Sequence, residues 1–281
     1  MKISGFTIVR NIRKYHYPLV ESIQSILPIC DEFIVNVGDS EDDTLKIVQS
    51  ISSPKIRIIQ NAWDMSTGYE VLSRQTNLAM NECKGDWLFY LQADEVIHED
   101  DLAILKGTMA RCMAQDSVDV IRLRWLHFYG SYFRYRVDAG WYQKNDRMIR
   151  NNGQVESYGD AGGFRRKDGQ PLRRKNSLCL LYHYGWVNSE EIMAQRRLNA
   201  IQIGFAKKEA LSGQEQYRYG DVNQFPVYFG THPSVMKSII AQHRFSMQDW
   251  DNICRQYWYH PARIFRLRYK TFGRVKERLE R

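Results

Sequence analysis

The chain has 281 residues, 43% hydrophobic and 26% charged, which fits a globular protein with a sizeable core and excludes a disordered or fibrous one. No apolar run approaches the ~20 residues of a membrane span, and five scattered cysteines without a CxxC pair argue for reduced thiols in a cytoplasmic protein, against a zinc site or disulfide framework. The net charge of +8 is uneven: residues 262–281 hold eight Lys/Arg and two Glu, leaving only +2 for everything before, so no general nucleic-acid surface is expected.

The first stretch, Met1 to Val9, is too short an apolar run for a signal peptide and reads as a strand centred on Phe6 to Val9. Leu19, Ile23 and Ile26 then follow at helical spacing. Phe33 to Val37 is a second strand, and Ser40 with Asp43 reads as a capping signature for a helix through Leu45, Val48 and Ile51. Lys55 to Ile59 is a third strand and Glu70 to Glu82 a third helix. Trp87 to Leu91 is a fourth strand, Asp100 to Met113 a helix, and Asp119 to Trp125 a fifth strand. After Trp125 come clustered aromatics, short strand-like pieces and Gly/Asp turns, then a helix capped by Ser189 that runs to about Gln202.

Strands alternating with helices predict an α/β fold with a mostly parallel sheet covered on both faces. Ligands in such sheets sit at the carboxyl ends of strands. Four of those ends are polar: Arg10-Asn11, Gly38-Asp39-Ser40, Asn61 to Asp64, and Gln92 to Glu95. Asp94 and Glu95 are hard oxygen ligands suited to Mg²⁺ or Mn²⁺. They read equally as solvated acids leading into the next helix.

The motifs VRN (Val9 to Asn11), SEDDT (Ser40 to Thr44), RQTNLA (Arg74 to Ala79) and KGDWLFYLQADE (Lys84 to Glu95), in this order, resemble family 2 glycosyltransferases of the GT-A fold. YHYGWV (Tyr182 to Val187) and GTHPSVM (Gly230 to Met236) are similar to bacterial members of unassigned substrate. The resemblance implies a cytoplasmic, metal-dependent, inverting enzyme of hexosyltransferase type. It would take a nucleoside-diphosphate sugar and Mn²⁺ or Mg²⁺ and serve an unidentified glycan or lipid-linked acceptor, in polysaccharide biosynthesis. It implies a GT-A domain over 1–204, with a nucleotide-sugar half (1–125) and an acceptor half (126–204), and a helical C-terminal extension over 205–281. The D-x-D metal motif falls on Gln92-Ala93-Asp94. Asp94 keeps the place of the acid that ligates the metal, while Gln92 retains hydrogen bonding without charge. Glu95 either restores the missing charge or faces the acceptor as a catalytic group. Nucleotide contacts carry over to Val9, Arg10, Asn11, Asp39, Arg74 and Asn77.

His183 in YHYGW is read either as a further metal ligand or as a packed aromatic-cluster residue. His232, before Pro233, is read as a helix-start residue. An inverting transfer needs a carboxylate to deprotonate the acceptor. Asp160, in a glycine-rich turn, is the candidate, with Glu156 and Asp138 as rivals. In the tail, Phe265, Tyr269, Phe272, Val275 and Leu279 make an apolar stripe among basic residues. Such a helix either packs on the catalytic domain or makes peripheral contact with an anionic membrane surface. Gln92 also keeps open a different class, a non-catalytic nucleotide or sugar binder on the same scaffold.

Overall fold

The computed structural model describes residues 1–115, 117–138, 140–204 and 217–243. The chain divides into two compact units, Met1–Val235 and Met236–Arg281. In the second, the described structure is a short helix, α6 (Lys237–Gln242). The basic stripe of 262–281 and most of the expected C-terminal extension lie outside the described residues.

The first unit is built on a nine-stranded sheet with the order β3-β2-β1-β4-β8-β6-β11-β5, and β7 paired to β6. Within its parallel part, β1 (Ile3–Val9) is buried along its whole length. β2 (Glu32–Val37) and β4 (Trp87–Tyr90) flank it in parallel, and β3 (Ile56–Gln60) lies beyond β2. The helices between them, α1 (Leu19–Ile26), α2 (Thr44–Gln49) and α3 (Glu70–Asn81), are crossovers of the kind parallel pairing requires. α4 (Leu102–Met113) follows the short strand β5 (Glu95–Ile97). The second half adds β6 (Val120–Tyr129), β7 (Tyr135–Arg136), β8 (Lys144–Arg150), the hairpin β9 (Val155–Tyr158) and β10 (Gly163–Arg166), the long β11 (Arg174–Trp186), and α5 (Glu190–Gln202).

The expected mostly parallel sheet is a mixed one. β8 inserts antiparallel between β4 and β6, and β5 runs antiparallel to β11. Because β11 is parallel to β6, the strands β1 to β4, β6 and β11 still all run one way. Their carboxyl ends therefore share one edge. One face of the sheet packs against α1, α2 and α4 through Leu19, Ile23, Val48, Leu105 and Met109. The other packs against α3 and the β9–β10 hairpin through Ala79, Met80, Val155 and Phe164.

Two local readings are corrected. Asp43 caps α2 without a side-chain bond, and Ser40 points its hydroxyl at the Gly38 carbonyl; Asp42 Oδ1 instead accepts from the Thr44 amide at 2.9 Å. Glu95 is not a solvated loop acid or a group facing an acceptor. It is fully buried at the start of β5, and Arg147 on β8, also fully buried, donates to both of its oxygens at 2.8 and 2.7 Å. Its Oε2 also accepts from the Gln92 amide at 2.9 Å.

A buried pair of this kind is destabilised most when one partner is removed, since an unpaired charge stays in the core. Arg147→Met is expected to lower stability by about 3–5 kcal/mol in urea denaturation, and the double change Arg147→Met with Glu95→Leu to recover much of that loss.

Candidate functional site

At the common carboxyl edge, the turn after β4 brings Asp94 against β11. The Asp94 carbonyl accepts from the Tyr184 amide at 2.8 Å, which fastens the turn to the strand. Asp94 Oδ2 then stands 3.7 Å from His183 Nε2, both side chains being largely buried. In β6 and β11, residues 121, 123, 125, 127 and 179, 181, 183 alternate onto one face, the period-2 consequence of strand geometry. Their inner members, Ile121, Leu123, Cys179 and Leu181, are core, and each series ends in a histidine. His127 and His183 are register partners in the parallel pair, with Nδ1 atoms 3.0 Å apart. Trp125 stacks on the His183 ring at 5.2 Å.

Gly185 completes this cleft. A Cβ there would lie 2.6 Å from Asp94 Oδ2 and 2.7 Å from His183 Nε2, so the gap between the two side chains exists because residue 185 has none. Arg196 of α5, 8% exposed, donates to the carbonyls of Tyr15, His16 and Gly185 and lies over the Tyr17 ring at 4.1 Å. It thereby ties the β1–α1 loop and β11 together beside Asp94.

Farther along the edge, the ends of β1 and β2 are laced together. Asn11, buried with a left-handed φ of 54°, accepts from the Glu41 amide at 2.7 Å, and its Nδ2 is buried without a hydrogen-bond partner. Arg10 donates to the Asp39 carbonyl at 3.0 Å, and exposed Asp39 accepts from the Trp63 amide at 3.1 Å. Val9 is buried in the strand.

The sequence profile of glycosyl transferase family 2 matches residues 7–170, more than half of the chain. The chain belongs to this family. No curated protein matches the sequence. Solved structures with similar architecture include S. aureus TarS 1-349, at 16% identity over 72% of this chain and 65% of that one, with a TM-score of 0.40. The same TarS fragment in complex with UDP-GlcNAc gives 22% identity over 46% and 36%, with a TM-score of 0.35. Glucosyl-3-phosphoglycerate synthase from Mycobacterium tuberculosis, in complex with Mn²⁺, UDP and phosphoglyceric acid, gives 16% identity over 44% and 43%, with a TM-score of 0.33. This chain thus spans 65% of the length of the first of these.

Within the family fold, the residues expected at the site separate into groups. Asp94 and His183 converge, with Gln92 in the same turn. Val9, Arg10, Asn11 and Asp39 share the edge at the ends of β1 and β2. Arg74 is exposed on α3 and pairs with Glu70 at 3.6 Å. Asn77 is not presented to a nucleotide: its Nδ2 donates to the Ser157 carbonyl and its Oδ1 accepts from the Ser157 amide, pinning β9 to α3. Asp160 sits in the β9–β10 turn, with Oδ1 accepting from Gly162. The hairpin climbs from Asp119, just ahead of β6, where Arg166 is bound, to Tyr90 at the end of β4, where Phe164 packs. Its turn therefore lies toward the carboxyl edge. Glu156 and Asp138 are engaged by Arg165 and Arg136. His232 stands two residues ahead of the helical turn Ser234–Met236 and is set among aromatics, with Nδ1 2.9 Å from Tyr184 Oη.

His127, Gly185 and Arg196 were not singled out in the sequence. A period-2 reading carried past Trp125 finds His127, and the spacing from buried Met193 to Arg196 marks a helix face pointing inward. Gly185 left no signal beyond its place two residues after His183.

Burial raises the Asp94 carboxyl above its usual range, against the opposing pull of Arg196. Burial also lowers His127, His183 and His232 to about 4. Two atoms that share an ion at about 2.1 Å lie about 3.0–3.6 Å apart at angles of 90–120°, so the 3.7 Å spacing lies just beyond that range and a shared ion would draw the two side chains slightly together. Among the described residues no group of three or more His, Cys, Asp or Glu side chains offers a metal site. An ion held by Asp94 and His183 would take its other ligands from phosphate and water, the habit of Mg²⁺-type sites.

Two outcomes follow from this geometry. Gly185→Ala places a methyl group between the two donors and is expected to weaken Mn²⁺ binding by at least about tenfold while leaving the circular dichroism spectrum intact, measured by titration calorimetry. The three imidazoles stay neutral in the folded protein down to about 4, whereas unfolded histidine protonates near 6.5. The unfolded state then binds more protons between these values, so stability is full above pH 6.5 and falls as pH drops toward 4. Asp94, Glu21 and Asp101, all raised by burial, oppose this fall, and the lowered His243 adds to it. Urea midpoints measured from pH 7 to pH 5 should decrease.

Proposed function

We propose that the chain is a glycosyltransferase that moves a sugar, with inversion, from a nucleoside-diphosphate sugar to a hydroxyl acceptor, using Mn²⁺ or Mg²⁺ bound by Asp94 and His183. The observation that carries this reading is the approach of Asp94 Oδ2 to His183 Nε2 across the gap left by Gly185. Membership of glycosyl transferase family 2 supports the reaction class. A bound divalent ion would neutralise charge developing on the departing diphosphate.

The chain's own residues supply the rest. Asp39, Arg10 and Trp63, at the ends of β1 to β3, are the proposed nucleotide-binding edge. Arg196 adds a fixed positive charge beside Asp94, held in place by three carbonyls. Trp141 and Trp186, 5.2 Å apart, continue the aromatic wall from His127 toward exposed Tyr142 and offer ring faces for an acceptor sugar. Asp160, partly exposed in the hairpin turn, is the proposed base for the acceptor hydroxyl. No helix among the described residues is long and apolar enough to cross a membrane. The basic segment 262–281 is the proposed point of peripheral membrane contact.

The test is a screen of nucleotide sugars for binding and hydrolysis with Mn²⁺ or EDTA. Wild-type protein is expected to bind at least one donor in the presence of Mn²⁺, and Asp94→Ala to lose about 100-fold or more in turnover. Binding that ignores both EDTA and Asp94→Ala, without turnover on any acceptor, would instead establish a non-catalytic binder.

A further inference from the structure

We infer that His127 is a positioning residue: it dictates which nitrogen of His183 carries the proton, and so leaves a bare lone pair on His183 Nε2 facing Asp94. The inference rests on the proposed role of Asp94 and His183 as ligands of a divalent cation.

The argument is one of donors and acceptors. His127 Nε2 lies 2.7 Å from the Tyr142 carbonyl oxygen. A carbonyl only accepts, so that nitrogen carries the hydrogen. The ring is 4% exposed, in T-shaped contact with Trp125 and Trp141 at centroid distances of 4.5 and 5.1 Å, a setting that favours the uncharged form. Neutral His127 then has a lone pair on Nδ1. His183 Nδ1 is 3.0 Å away, so His183 must be the donor of that bond. A neutral His183 that carries its hydrogen on Nδ1 has none on Nε2, and Nε2 is the atom 3.7 Å from Asp94 Oδ2. With Asp94 as the carboxylate, two electron-rich atoms then face one another with no hydrogen between them, which is a site prepared for a cation.

Without His127 the logic reverses. His183 could place its hydrogen on Nε2 and turn it toward the Asp94 carboxylate, closing the cleft with an internal hydrogen bond. The backbone enforces the relay: His127 and His183 are paired in register on adjacent parallel strands, and Trp125 stacks on the His183 ring with 17° between planes. Metal-bound histidines generally donate their second nitrogen to an oriented partner, and loss of that partner costs about 10–100-fold in metal affinity. Here the partner is another imidazole, anchored in turn by a main-chain carbonyl.

The first measurement needs no metal. Long-range ¹H–¹⁵N spectra of histidine-labelled wild-type protein should show His183 as the Nδ1–H tautomer and His127 as the Nε2–H tautomer. A His183 carrying its hydrogen on Nε2 overturns the proposal. The second compares Mn²⁺ affinity in the presence of UDP. His127→Phe keeps a ring but no acceptor, and should weaken Mn²⁺ binding by about 10–100-fold. His127→Asn can present Oδ1 near the place of Nδ1, and should restore most of that affinity. Unchanged affinity in folded His127→Phe protein also overturns the proposal. If wild-type protein binds no Mn²⁺ with any nucleotide, the functional reading fails, while the tautomer spectrum still decides the role of His127.

Discussion

The bidentate pair of Glu95 and Arg147 fixes the turn on which the candidate site is built. Both groups are fully buried, and their charges are held in the interior by each other, by the Gln92 amide that donates to Glu95 and by the Asp146 carbonyl that accepts from Arg147. That arrangement closes the turn from Gln92 to Glu95 and begins β5 at Glu95, directly opposite His183 on β11. Asp94 is thereby left as the last residue of the turn, with its main chain bonded to Tyr184 and its carboxylate at the cleft. Arg147 arrives from β8, the antiparallel strand wedged between β4 and β6. The ion pair thus ties β8 to the turn between β4 and β5, beside the strands that carry His127 and His183.

The first half of the fold was legible because its elements obey simple periods. Leu19, Ile23 and Ile26 mark α1, the apolar runs at 33–37 and 87–91 mark β2 and β4, and crossover helices leave parallel pairing as the natural solution. The second half was less legible because its strands are joined by long-range pairings that no local pattern encodes. The position of β8 beside β4 depends on Asn145 to Arg150 meeting two different strands, and nothing within those residues names either partner.

The site shows the same division. Asp94 and Glu95 are adjacent carboxylates after one strand, and sequence alone gives them the same chemistry. What separates them is Arg147, 52 residues away, which takes Glu95 into the core. His183 was open to two readings, ligand or packed ring. The ring is packed under Trp125 by one face, and one nitrogen lies 3.7 Å from Asp94, the approach on which the proposed ligand role rests. Asn77 shows the opposite outcome, a polar helix residue whose amide is taken up on both sides by the backbone of β9.

On the proposed reading, these placements also give Gln92 a role at the site. A first acid at that position would add a second charge to the cleft, and Glu95 does not replace it because Arg147 already neutralises it. With His127 and His183 neutral, Asp94 is the anionic ligand of the proposed cation site, and Arg196 stands beside it as a positive charge. One carboxylate and one imidazole next to a guanidinium make a weak trap for a bare divalent ion. The diphosphate of a nucleotide sugar would bring the missing negative charge and the missing oxygen ligands together, and would be drawn by the same Arg196 that discourages the ion alone. On the proposed reading, cation and nucleotide are therefore thermodynamically linked, each raising the affinity for the other. On that same reading the glutamine leaves the proposed metal site in place and transfers part of the charge that would hold the ion from protein to substrate.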